Sequence, residues 1–133
     1  MSEIKVDTLT GKTTANDITV TVGATATMSL EQGLAKAWFQ FNQSTPATGD
    51  SFGVSSISDD ATGLFTTTLS SAMGTSDDYV VVGNTGNTFA DPSNRTCASV
   101  PNTTTQFKNQ TTTGGGTKVD MPFDSVTVHG DLA

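Results

Sequence analysis

The stretch that most constrains the fold runs from Lys36 to Gly83. Apolar residues recur there with a period of two, and turn residues cut the pattern into short pieces. It holds the only Trp, the only Tyr and four of the seven Phe, so a core centred elsewhere would lack large side chains. Ala37, Phe39 and Phe41 fall on one side of an extended chain, and Trp38, Gln40 and Asn42 on the other. Burying a Phe gains about 1.5–3 kcal/mol. Phe39 and Phe41 therefore define the core side, and Trp38 faces outward, toward solvent or a neighbouring chain. Phe52–Ile57 and Leu64–Leu69 read as a hairpin, with a bulge at Ser55-Ser56 and a turn over Ser58–Gly63. Tyr79–Val82 is apolar without alternation, which predicts a central strand covered on both faces. The expected fold class is all-β, an antiparallel sandwich of jelly-roll type.

The flanks are thinner. Ile4, Val6 and Thr8 alternate with Lys5 and Asp7, and a second alternating run carries Ile18, Val20 and Val22. Each reads as a strand, and neither has an aromatic to bury. Ser29 begins a candidate helix, with Gln32 completing a capping box and Leu30 and Leu34 on one face. Two helical turns are marginal alone. The expectation is an attachment or stalk segment over residues 1–35, with Ile4, Val6, Ile18, Val20, Val22, Leu30 and Leu34 covered by other copies or a larger partner. A β domain over 36–133 would follow. In it, Gly83–Pro101 reads as a long polar loop, Thr103–Thr113 as a strand with Thr105, Phe107 and Asn109 inward, and Lys118–Phe123 and Ser125–His129 as two closing strands, with Pro122 at an edge or bulge.

Charge and cysteine usage exclude several classes. The net charge is −7, with six Lys and Arg among 133 residues, which disfavours nucleic acid and anionic membranes. Charged residues make up only 14%, while Thr occupies 26 positions, a β-branched hydroxyl suited to strand faces that meet water. Cys97 is the sole cysteine, so no internal disulfide and no thiolate metal cage is possible. The start has neither a basic leader nor an apolar run, and no membrane insertion is expected. The expectation is synthesis in a cytoplasm; a chain of this kind that acts outside cells leaves by another route, such as inside an assembled particle.

No enzymatic chemistry is expected. His129, the single histidine, has no nucleophile placed beside it by any local motif; copies meeting on a symmetry axis are the one arrangement in which it would hold an ion. Asp59-Asp60 and Asp77-Asp78 lack calcium-loop spacing and read as turn residues. A glycan-hydrolase tip would need two carboxylates about 5–9 Å apart in a groove, and so short a domain offers little room for one. No cofactor and no metal are predicted.

Several segments, taken in order, carry a resemblance: IKVDTLTGKTTA at the start, LEQGLAKAW before the core, DSFGVSSISDDATG and YVVVG within it, and VTVHGDLA at the end. As a set they resemble small tail-fibre-like or structural proteins of tailed bacteriophages, many of them marine. The chain departs from that pattern after KAW, where FQFNQSTPATGD stands in place of a Gly-Thr-Gly type of turn. The resemblance implies a virion protein, a fibre or fibre tip that attaches to the host and assembles as a homotrimer. Its partners would be other copies, other tail or capsid proteins, and a host-surface glycan or protein. The receptor surface would draw on Trp38, Thr85, Asn87, Phe89 and Arg95. A purely structural role, as capsid decoration, head fibre or tail adaptor, is the alternative.

Overall fold

The computed structural model describes residues 4–11, 18–22, 24–87 and 95–133. The chain divides into two compact units, Met1–Leu34 and Ala35–Ala133.

In the first unit, β1 (Thr19–Val22) pairs antiparallel with β2 (Ala26–Ser29). A single helical turn, α1 (Leu30–Gly33), follows. The Leu30 N–H donates to the Ile18 carbonyl at 2.7 Å, so the turn folds back onto the start of the hairpin. Ser29 occupies the N-cap position, but its side chain makes no capping hydrogen bond. The expected capping box is therefore not formed, and the helix stops after one turn. Residues 4–11 contain no strand, contrary to their alternation; β2 is not read from the sequence because, although Ala26 and Met28 alternate with Thr27 and Ser29, four residues with one large apolar side chain are a weak signal. Among the residues of this unit whose side chains are described, which do not include Val22, none is buried; Ile18, Val20 and Leu30 are half-covered, while Ile4 and Leu34 are 85% and 54% exposed.

The second unit is all-β and sandwich-like, with two four-stranded antiparallel sheets. One has the order β4-β3-β10-β7, from β3 (Ala37–Asn42), β4 (Ala47–Phe52), β7 (Tyr79–Gly86) and β10 (Phe123–Gly130). The other has the order β5-β6-β9-β8, from β5 (Val54–Ala61), β6 (Leu64–Leu69), β8 (Arg95–Pro101) and β9 (Gln106–Thr113). Three successive pairs, β3–β4, β5–β6 and β8–β9, lie within one sheet, and the other four connections from β3 to β10 cross between the sheets.

The core between the sheets is aromatic. Phe39 of the first sheet meets Phe65 edge-on and Phe107 in a stack, both at 6.3 Å between ring centroids. Phe41 lies 5.1 Å from Phe65. Leu69, Tyr79, Val126 and Val128 complete the layer. Beside it sits a buried polar group: the Gln43 amide donates to Asp59 Oδ1 and to the Ala61 carbonyl, both at 3.2 Å, and Thr111 Oγ1 donates to the Val119 carbonyl at 2.6 Å. Paired in this way, Gln43 and Thr111 are buried without the cost of an unmet polar atom.

Gly53 carries the chain from one sheet to the other. Its φ of +69° is unfavourable for any other residue, and a Cβ there would collide with the Lys36 carbonyl oxygen. The switch also reverses the phase of the pattern, so Phe52 points out of β4 while Val54 points into the core from β5.

Other expectations are corrected. β7 is an edge strand of its sheet, not a central one: Val80 and Val82 are 63% and 56% exposed. The turn over Ser58–Gly63 shrinks to Thr62-Gly63, because β5 extends to Ala61. β7 and β8 occupy most of the expected Gly83–Pro101 loop. β9 does turn Phe107 and Asn109 inward, whereas Thr105 precedes it. The two closing strands are one, β10, with Pro122 just before it; Lys118 makes only an isolated bridge to Thr112. The bulge near Ser55 is present, as a register shift between Val54 and Ser56.

Candidate binding face

The outer surfaces of the two sheets differ in kind. On β5-β6-β9-β8, Asp60, Thr66, Thr68, Lys108 and Gln110 make a surface of hydroxyls, amides and charges, with Val100 at its edge. Thr66 Oγ1 donates to Asp60 Oδ2, and Gln106 Nε2 to Thr68 Oγ1. The outer surface of β4-β3-β10-β7 instead holds the large exposed apolar residues.

Register places that second surface row by row, since residues directly opposite on paired strands share a face. Trp38 stands opposite Phe52 on one side and Thr127 on the other, and Thr127 in turn opposite Val82. The next row out is polar: Ser125 lies between Gln40 and Asn84. Beyond it Phe123 faces Gly86. Trp38, Phe52 and Phe123 are 38%, 57% and 44% exposed. An aromatic row, an amide and hydroxyl row, and a second aromatic therefore follow one another along β3 and β10.

A groove of about 550 Å³ lies over the polar row and Phe123. Asn42 and Thr48 continue its wall, and Gly49 and Gly86 on the flanking strands leave it open. A Cβ added at Gly86 would meet nothing within 4 Å. Among the described residues, no Lys, Arg, Glu or His lines it.

Asp124, the one carboxyl among the described lining residues, points inward and has no exposed surface. Its Oδ1 accepts a hydrogen bond from Thr85 Oγ1 at 2.6 Å, while Oδ2 has no hydrogen-bond partner. Burial pushes this carboxyl up to about 6; the Thr85 hydroxyl pulls the other way, and the Asp120 charge adds to the rise. Burial also pushes the Cys97 thiol up to about 11, with Ser99 opposing and Asp124 adding. A thiol so placed carries almost no thiolate at neutral pH and is a poor nucleophile. Cys97 Sγ lies 3.9 Å from Ser99 Oγ, and His129 Nε2 lies 3.4 Å from Thr127 Oγ1. Among the described residues no three His, Cys, Asp or Glu side chains cluster as a metal site, and no helix is long and apolar enough to cross a membrane.

The expected receptor residues scatter. Trp38 is on the face just described. Thr85 is only 5% exposed and its hydroxyl is committed to Asp124, so it presents no side chain to a ligand. Asn87 is exposed just past the end of β7. Phe89 lies outside the described residues. Arg95 opens β8 in the other sheet, on the half-buried side it shares with Cys97 and Ser99. Gln40, Asn84, Phe123 and Ser125 were not anticipated. The outward phase of Trp38 was the available signal, since Gln40 follows it two residues later.

Compared with protein-family models, with curated proteins and with solved structures, the chain shows no match.

Proposed function

We infer that this chain is a non-enzymatic binding protein of a phage particle, a tail fibre or fibre tip, assembled as a homotrimer, whose sandwich meets the host surface. The observation that carries the reading is the inequality of the two outer faces. One is a solvating surface of Thr, Gln and charge; the other joins exposed aromatics to a groove whose described residues expose no charge, and exposed apolar surface of this kind marks an interaction site. The segment resemblance supplies the particle. The first unit supports an attachment role, because Ile4, Val6 and Leu9 expose 85%, 59% and 57% of their surface and bury nothing of their own.

Adsorption competition tests this. Purified full-length chain, added to host cells in excess, should slow adsorption of the phage that encodes it. Unchanged adsorption at saturating protein would overturn the host-attachment reading. It would leave a structural role as capsid decoration, head fibre or tail adaptor, for which the exposed arm residues already argue.

A further inference from the structure

We propose that the groove on the β4-β3-β10-β7 face binds a neutral oligosaccharide lying along β3 and β10, a proposal that rests on the binding-protein reading above. Three observations select this ligand. First, the face is small. Four strands about 4.8 Å apart and six to eight residues long, at about 3.3 Å per residue, span roughly 300–450 Å² in projection. A stable protein interface takes about 800 Å² of accessible surface from each partner, so a second copy or a folded protein would have to reach beyond this face.

Second, the described residues of the groove offer a ligand no accessible charge. They include no basic residue, and Asp124 is turned inward and covered. Among them phosphates, sulfates and uronates find no cation to pair with, and a cationic ligand finds no exposed carboxylate.

Third, the side chains match a sugar's two kinds of surface. A pyranose has an apolar C–H face and a rim of hydroxyls that both donate and accept. Phe123 in the groove and Trp38, on the same face just beyond its lining, provide flat apolar platforms. Gln40, Asn84 and Ser125, between them, provide groups that donate and accept. Trp38 is opposite Thr127, four positions from Phe123, so the two platforms are roughly 13 Å apart along the strand. That separation suits a short chain of rings better than one monosaccharide.

Trp38 is the only tryptophan, so its fluorescence reports this face alone. Full-length protein is titrated with soluble neutral polysaccharides (glucans, mannans and galactans) and, in parallel, with alginate and dextran sulfate. At least one neutral glycan should shift or quench the emission saturably, with an affinity that added salt leaves unchanged. Gly86→Leu fills the groove without removing a contact, and should weaken that binding at least tenfold while the thermal transition is retained. Trp38→Phe, which preserves the platform, should still bind by calorimetry. Three results would each overturn the proposal: response to the anionic polymers only, no response to any neutral glycan, or Gly86→Leu binding as the parent does. Cell binding is measured on the same preparations. Protein that binds cells but no neutral glycan refutes the sugar and spares the attachment reading; protein that binds neither refutes both.

Discussion

Asp124→Asn should change how stability depends on pH, in a direction set by the burial of that carboxyl. In the folded chain Asp124 titrates near 6 instead of its ordinary 3.8. Below pH 3.8 it is protonated whether the chain is folded or not, and contributes no penalty. Between 3.8 and 6 the unfolded chain releases the proton while the folded chain keeps it, so the unfolded state binds fewer protons and stability falls as pH rises. Above about 6 both forms are ionised and the penalty is complete. At about 1.36 kcal/mol per pH unit, it amounts to about 3 kcal/mol. Asparagine keeps an oxygen for the Thr85 hydroxyl and cannot ionise. Its amide N–H groups would occupy the place of the unpartnered Oδ2, at a cost of about 1–3 kcal/mol that does not vary with pH. The absolute gain at pH 8 is thus partly offset, but the pH-dependent part is not. Urea unfolding of both proteins at intervals from pH 3.5 to 8 should show their stability difference shifting by about 3 kcal/mol in favour of the variant. The other carboxylates cancel in that difference. Parallel curves across the range would refute the assignment of a raised titration to Asp124.

Phe39→Ala should cost about 3–5 kcal/mol in urea unfolding, since it opens the ring cluster that joins the two sheets. Gly53→Ala should cost more than the 1–2 kcal/mol of a left-handed residue alone, because the added Cβ also strikes backbone; the measurement is soluble yield and melting temperature. Cys97 should react with a thiol reagent at pH 8 far more slowly in the folded chain than in urea, and a native rate close to the unfolded one would show that burial does not hold its titration near 11.

The core was legible because β3, β6 and β9 each alternate cleanly. Phe39, Phe65 and Phe107 are the large residues of those runs, and their positions followed from period two alone. The edge of the sheet was not legible for an equally physical reason. Tyr79–Val82 is a continuous apolar run, and such a run describes a strand covered on both faces or a strand whose outer face is apolar and exposed. Local sequence does not separate these cases; they are distinguished by which strand lies alongside. β10 pairs with one edge of β7, and among the described residues no strand of that sheet lies along the other. The buried Asp124 and Thr85 were hidden likewise, because an Asp after Phe123 and a Thr after Asn84 read as surface residues until their hydrogen bond is seen.

The place of β10 between β3 and β7 explains why the candidate site escaped a reading of segments. Ser125, Gln40 and Asn84 come from three parts of the chain, and no spacing links them. Once β10 is placed, its alternation assigns both sides at once: Asp124, Val126 and Val128 go to the core, and Phe123, Ser125 and Thr127 to the outer face. A one-residue slip of β10 would put Phe123 and Ser125 inside and expose Val126 and Val128. The core packing of those two valines therefore holds the register that lines Ser125 up with Gln40 and Asn84, so the groove depends on residues that no ligand could touch. Val126→Asp should accordingly remove the fold and the groove together, whereas Ser125→Ala, on the other side of the same strand, should leave the melting temperature within a few degrees of the parent.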